Sequence, residues 1–166
     1  MVQLISNVTA AATAATLLRI LDFQQQNGFD LASSQCNEFT PVQSFTVSPG
    51  VTNQHWTLAG GPSAFQIISS ACNTFLTYPG AGTPSLALRS QATSRSTPAS
   101  SWVLILADPG PAGSAGAWNI VEASSGMYLT AWDQDHDAAV MSNGSPLTLE
   151  RGNPNDTRQQ FWFVPV

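Results

Sequence analysis

The sequence predicts an all-β fold assembled from three repeated units. Short strand-like runs are bounded by Gly, Pro, Asn and Ser, while helix-period patterns are scarce. One segment recurs at near-constant spacing along the chain. Each unit closes on an apolar strand that carries a Trp.

In chain order, the first unit offers runs at Leu17–Phe23, Phe29–Ala32, Val42–Val47 and Trp56–Leu58, with Asn27-Gly28 as a turn. The second offers Phe65–Ser69, Phe75–Tyr78, Leu86–Leu88 and Trp102–Leu106, punctuated by Pro79-Gly80. The third offers Trp118–Val121, Tyr128–Trp132, Ala139–Met141, Leu147–Leu149 and Phe161–Val164, with turns at Ser125-Gly126 and Asn143-Gly144.

The repeat is explicit when the segments are superposed. FQIISSACNTFLTY (65–78) lies on WNIVEASSGMYLTA (118–131) with a shift of 53, which puts Ile67 on Ile120 and Leu76-Thr77 on Leu129-Thr130. LRILDFQQQNGFDL (18–31) lies on the second copy with a shift of 47, which puts Ile20 on Ile67 and Phe29 on Leu76. All three copies separate the Ile from the later apolar residue by 9 positions. Three units, at 17–60, 63–107 and 117–164, each read as four strands with one apolar face that a single unit cannot bury. Three such units around a pseudo-threefold axis close a small barrel under a hairpin cap, a β-trefoil; a propeller normally needs at least four blades. The expectation is one domain over 17–166, preceded by a segment at 1–16 that forms an extra strand or a tail. Trp56, Trp102 and Trp162 are the expected core markers, and the Pro/Gly-rich run at 108–116 is a loop between units.

Composition narrows the function. Charged residues are 9% of the chain, its five cations are all Arg, and the net charge is −5. A basic stripe able to neutralise phosphates is lacking, which argues against nucleic acid and against anionic membrane surfaces. No apolar run reaches the ~20 residues that span a bilayer. The start of the chain lacks the basic region of a secretory signal, so the expected location is the cytoplasm, or outside the cell by a non-classical route. Cys36 and Cys72 are too few for a disulfide scaffold; two independent thiols are the plainer reading, and a single bridge stays open. There is no His/Cys metal spacing and no nucleophile elbow, so neither cofactor, metal nor catalysis is expected.

At residues 29–58, FDLASSQCNEFTPVQSFTVSPGVTNQHWTL, the sequence resembles the ricin-B-type (R-type) lectin family, and fungal ricin-B-like lectins in particular. The residues that carry the resemblance are Phe29-Asp30, Thr40-Pro41-Val42-Gln43, Phe45 and Asn53-Gln54-His55-Trp56. A second Gln-x-Trp returns as Gln160-Phe161-Trp162, and the middle unit has Ser100-Ser101-Trp102 instead. The resemblance implies a β-trefoil and a shallow sugar pocket in the first unit. There Asp30 would accept hydrogen bonds from adjacent sugar hydroxyls, with Gln43, Asn53 and Gln54 contacting the sugar or holding the Asp. Phe45 would stack on the ring. These residue types suit a pyranose, whose hydroxyls donate and accept and whose C–H face an aromatic ring can cover. The implied partners are glycans or glycoproteins, with oligomerisation as a source of avidity.

The other units depart from the pattern. Thr77 and Thr130 stand where the Asp is expected, and Ala87 and Arg89 are read at the Gln and aromatic positions of unit two. Asp22 in RILDF is a competing acid for the first unit. Trp132, Asp133 and Asp135 offer a rebuilt site in the third; a solvated loop is the plainer reading of that acidic run, and a calcium loop fails at Ala138 and Gly144. The rival class is a β-trefoil protease inhibitor acting through loops at 89–100 and 142–158, with Arg95 or Arg151 presented.

Overall fold

The computed structural model describes residues 7–61, 63–80, 91–108, 116–132, 144–153 and 155–166. Among them are twelve strands, four to a unit. The first unit holds β1 (Leu18–Asp22), β2 (Asn27–Leu31), β3 (Thr40–Thr46) and β4 (Trp56–Gly61). The second holds β5 (Ala64–Ser69), β6 (Phe75–Thr77), β7 (Thr93–Arg95) and β8 (Trp102–Asp108). The third holds β9 (Ala117–Glu122), β10 (Tyr128–Ala131), β11 (Ser145–Glu150) and β12 (Phe161–Pro165).

The first and last strands of each unit pair in the cycle β1–β4–β5–β8–β9–β12 and back to β1, which closes a six-stranded barrel. Closure leaves no open edge in that ring. The middle strands form three hairpins, and β3 joins both neighbouring hairpins through β7 and β11. The core repeats with the chain: Ile20, Ile67 and Ile120 are each fully buried, as are Trp56 and Trp102.

The third core marker is a correction. Leu18 pairs with Trp56, Phe65 with Trp102, and Trp118 with Phe161. Phe161, at 0% exposure, therefore occupies the core position expected for Trp162, which is half-buried and donates its indole N–H to Phe23 O. The difference has a visible consequence. Trp56 Nε1 donates to Phe29 O at 3.0 Å and Trp102 Nε1 to Leu76 O at 3.1 Å, whereas Phe161 has no N–H to give. With Phe161 as the marker, Gln159 and not Gln160 is the counterpart of Gln54.

Three other expectations change. The N-terminal segment is neither a strand nor a tail where described: Val8–Thr13 form a helix, α1, capped by Asn7 and burying Val8, Ala11 and Ala12. Three alanines with high helix propensity and small volume let this short helix lie close to β4. The third strand of unit two is Thr93–Arg95, so Thr93 and Arg95, not Ala87 and Arg89, face Thr77 and Phe75. That strand is polar and carries no apolar alternation to betray it. Residues 86–88 and 139–141 lie outside the described residues. Cys36 and Cys72 are disulfide-bonded, tying the β2–β3 loop of unit one to the β5–β6 turn of unit two. Among the described residues no helix is long and apolar enough to cross a membrane.

Candidate functional site

Strand pairing assembles the site. Asp30 on β2 stands opposite Gln43 on β3, and Gly28 stands opposite Phe45. Side chains two apart on a strand share a face, so Asp30, Gln43 and half-buried Phe45 lie on one side of this hairpin. A single 3-10 turn at Thr52–Gln54, just before β4, delivers Asn53 and Gln54 to the same place. The turn is fixed because Trp56, two residues on, is locked into the barrel core.

Asp30 is the hub. Its Oδ1 accepts from Gln43 Nε2 at 3.1 Å, and its Oδ2 accepts from Asn53 Nδ2 at 2.9 Å and Gln54 Nε2 at 3.1 Å. The residue is 5% exposed. Burial pushes its carboxyl up from the ordinary 3.8, and the three amide hydrogen bonds oppose that shift by favouring the charged form.

The three amides have different remaining capacity. Asn53 Nδ2 also donates to Leu31 O at 3.1 Å, so both its N–H bonds are used and its oxygen is left to accept. Gln54 donates to Asp30 and to Thr46 O, and its oxygen accepts from Ser48 N. At 2% exposure it holds Asp30 rather than reaching outward. Gln43 spends one N–H on Asp30 and keeps an oxygen and a second N–H for a ligand among the described contacts. The carboxylate offers about four acceptor sites, three of which are filled.

The third unit shows the same frame with other chemistry. Gln159 Nε2 donates to Thr130 Oγ1 and Arg151 O, and its oxygen accepts from Asn153 N, which copies the Gln54 pattern around a Thr in place of Asp30. Arg158 stands at the Asn53 position, paired with Asp156 at 2.8 Å and lying 4.5 Å over the Trp132 ring. Trp132 Nε1 donates to Thr148 Oγ1, which donates to Glu150. Asp22 and Trp132 line one shallow hollow with Phe23, Gln24, Ala131, Thr157 and Arg158. The Asp22 carboxylate itself caps the β1–β2 turn, accepting from Gln26 N and from Asn27 Nδ2. Asp133 and Asp135 lie outside the described residues.

Solved structures share this architecture. A designed threefold-symmetric protein, ThreeFoil, matches at TM-score 0.68 and 17% identity over 90% of this chain and 99% of that one. The Rhizoctonia solani agglutinin matches at TM-score 0.69 and 18% identity over 92% and 96%. The ricin B-like lectin of Macrolepiota procera, solved with lactose, matches at TM-score 0.61 and 17% identity over 91% and 95%. The fold is a β-trefoil. It is similar in structure to ricin B-like and R-type lectins. No family model and no curated protein matches the sequence.

Sequence reasoning missed what lies between elements. Leu31 O, Thr46 O and Ser48 N fix the amides, and Gly144 of the third unit abuts Gln43. Backbone groups leave no mark in a sequence, and Gly144 read only as half of a turn signal.

Proposed function

We propose that the protein is a carbohydrate-binding lectin that acts through one shallow site in the first repeat and does no chemistry on its ligand. The observation that carries this reading is the buried Asp30 carboxylate held by three amides, with Phe45 on the same face. A carboxylate fixed in this way accepts from sugar hydroxyls without reorganising, and charge-assisted hydrogen bonds are the stronger ones. Gln43 and Asn53 add acceptors beside it, and Phe45 offers an aromatic face for C–H groups. The similarity to lectins, one of them solved with lactose, supports glycans or glycoproteins as the partners.

A few hydrogen bonds worth about 1 kcal/mol net each give weak monosaccharide binding, so extended glycans or a multivalent assembly would supply avidity. Units two and three carry Thr77 and Thr130 at the Asp30 position, which predicts one ligand per chain. The protease-inhibitor reading loses one of its two arginines: Arg95 belongs to β7, pairs with Glu38 at 3.0 Å and lies over Phe39, so it is not held out on a loop.

The test is a glycan array on the wild type and on Asp30→Ala, with thermal unfolding run in parallel. The variant should lose every positive signal and keep a cooperative melt. Undiminished binding by Asp30→Ala would place the site elsewhere.

A further inference from the structure

The first unit's site has an edge that belongs to the third unit. Strand β11 runs beside β3, with Ser145 opposite Ser44 and Pro146 opposite Gln43. Gly144, immediately before β11, borders the amide end of the Gln43 side chain. A Cβ at Gly144 would stand 2.7 Å from Gln43 Cδ, 2.8 Å from its Oε1 and 3.1 Å from its Nε2. All three nearest atoms are the Gln43 amide group, at the far end of a flexible side chain. An added methyl would displace that amide before it displaced a strand. Gln43 Nε2 lies 3.1 Å from Asp30 Oδ1, near the outer end of the usual range, so a shift of about 1 Å breaks the bond. Asn53 and Gln54 both serve Oδ2, so Gln43 is the one donor on Oδ1 among the described residues.

We propose that Gly144 is a positioning residue for the sugar site: by having no side chain, it leaves the space in which the Gln43 amide is held on Asp30. The inference rests on the lectin reading and extends it, because a repeat with Thr130 in place of the site Asp completes the site of its neighbour. Gly144 has φ +145°, a backbone shape that further favours glycine. That adds a strain cost to any substitution, and the test must separate it from the effect on Gln43.

The experiment measures affinity for the array glycan that the wild type binds most tightly, in Gly144→Ala, Gln43→Ala and the double variant. Gly144→Ala should weaken binding about tenfold, the loss of one hydrogen bond of about 1.4 kcal/mol. Gln43→Ala should do the same, and the double variant should be no weaker than Gln43→Ala alone. Wild-type affinity in Gly144→Ala, or losses that multiply in the double variant, would overturn the proposal. Nuclear Overhauser contacts between the Gly144 α-protons and the Gln43 side-chain amide protons in the unliganded wild type decide the packing even if Gly144→Ala fails to fold. Their presence supports the proposal and their absence overturns it. Full binding by Asp30→Ala overturns the lectin site, and this inference with it. Loss in Asp30→Ala beside unchanged binding in Gly144→Ala overturns this inference alone.

Discussion

Asp30 joins burial to the proposed binding role. Its folded pKa is raised, so as the pH falls the native state takes up this proton before the unfolded chain does. Its own linkage to stability is therefore fully favourable below 3.8 and is lost as pH rises through the folded value. Binding runs the opposite way, because a protonated Asp30 gives up acceptor capacity. Glycan affinity should be level at neutral pH, begin to fall above 3.8, and drop about tenfold per pH unit once the carboxyl is neutral. Glu38 runs the other way: held down to about 2 by Ser96 and Arg95, it contributes a small, solvent-screened stability that is full above 4.5 and falls away progressively between 4.5 and about 2. Titration of affinity against pH, with circular dichroism at each point, checks this. An affinity independent of pH down to 3.8 would mean that Asp30 does not meet the ligand. Asp30, Gln43, Phe45, Asn53 and Gln54 were legible in sequence because their spacing matches a known pattern. Which atoms remain for a ligand was not, since that depends on Leu31, Thr46 and Ser48 backbone groups.

At the scale of elements, the loop between β2 and β3 is tied covalently to the neighbouring unit. It leaves β2 beside Asp30, bends through left-handed residues Ser33, Ser34 and Phe39, and is fastened to unit two by the Cys36–Cys72 disulfide. Glu38 accepts from Arg95 and from Ser96, and Phe39 N donates to Ser94 O. A bridge between positions separated by 36 residues lowers the entropy of the unfolded chain, worth about 4 kcal/mol in the loop-closure account. Replacing both cysteines with Ser should lower unfolding free energy by about 2–4 kcal/mol in urea titration, a loss that added thiol reductant reproduces in the wild type. No loss in the double Ser variant would show that the bridge constrains neither state. Two cysteines in a sequence say nothing about pairing; the meeting of a loop and a turn from different repeats decides it. The β7 strand was hidden for a related reason, because Thr93-Ser94-Arg95 pairs through its backbone and has no apolar face to reveal it.

For the whole molecule, the closed barrel makes the repeats inseparable. The first strand pairs with the last over five positions, from Leu18–Pro165 to Asp22–Phe161, so no unit can leave without opening the ring. Heating should give a single calorimetric transition whose van't Hoff and calorimetric enthalpies agree, and two resolved transitions would contradict the one-domain reading of 17–166. By itself the sequence determined the fold class, the number of repeats, the poverty of charge and the first unit as the place of the proposed site. These are written in local periodicity and in residue types that a single unit displays. Only the tertiary structure decided that Phe161 is the third core marker, that Cys36 meets Cys72, that Asp22 caps a turn, and that Gly144 borders Gln43. Each of those depends on which units become neighbours around the axis. A pattern read along the chain carries the phase of a strand but not the contacts made where separate strands close on one another.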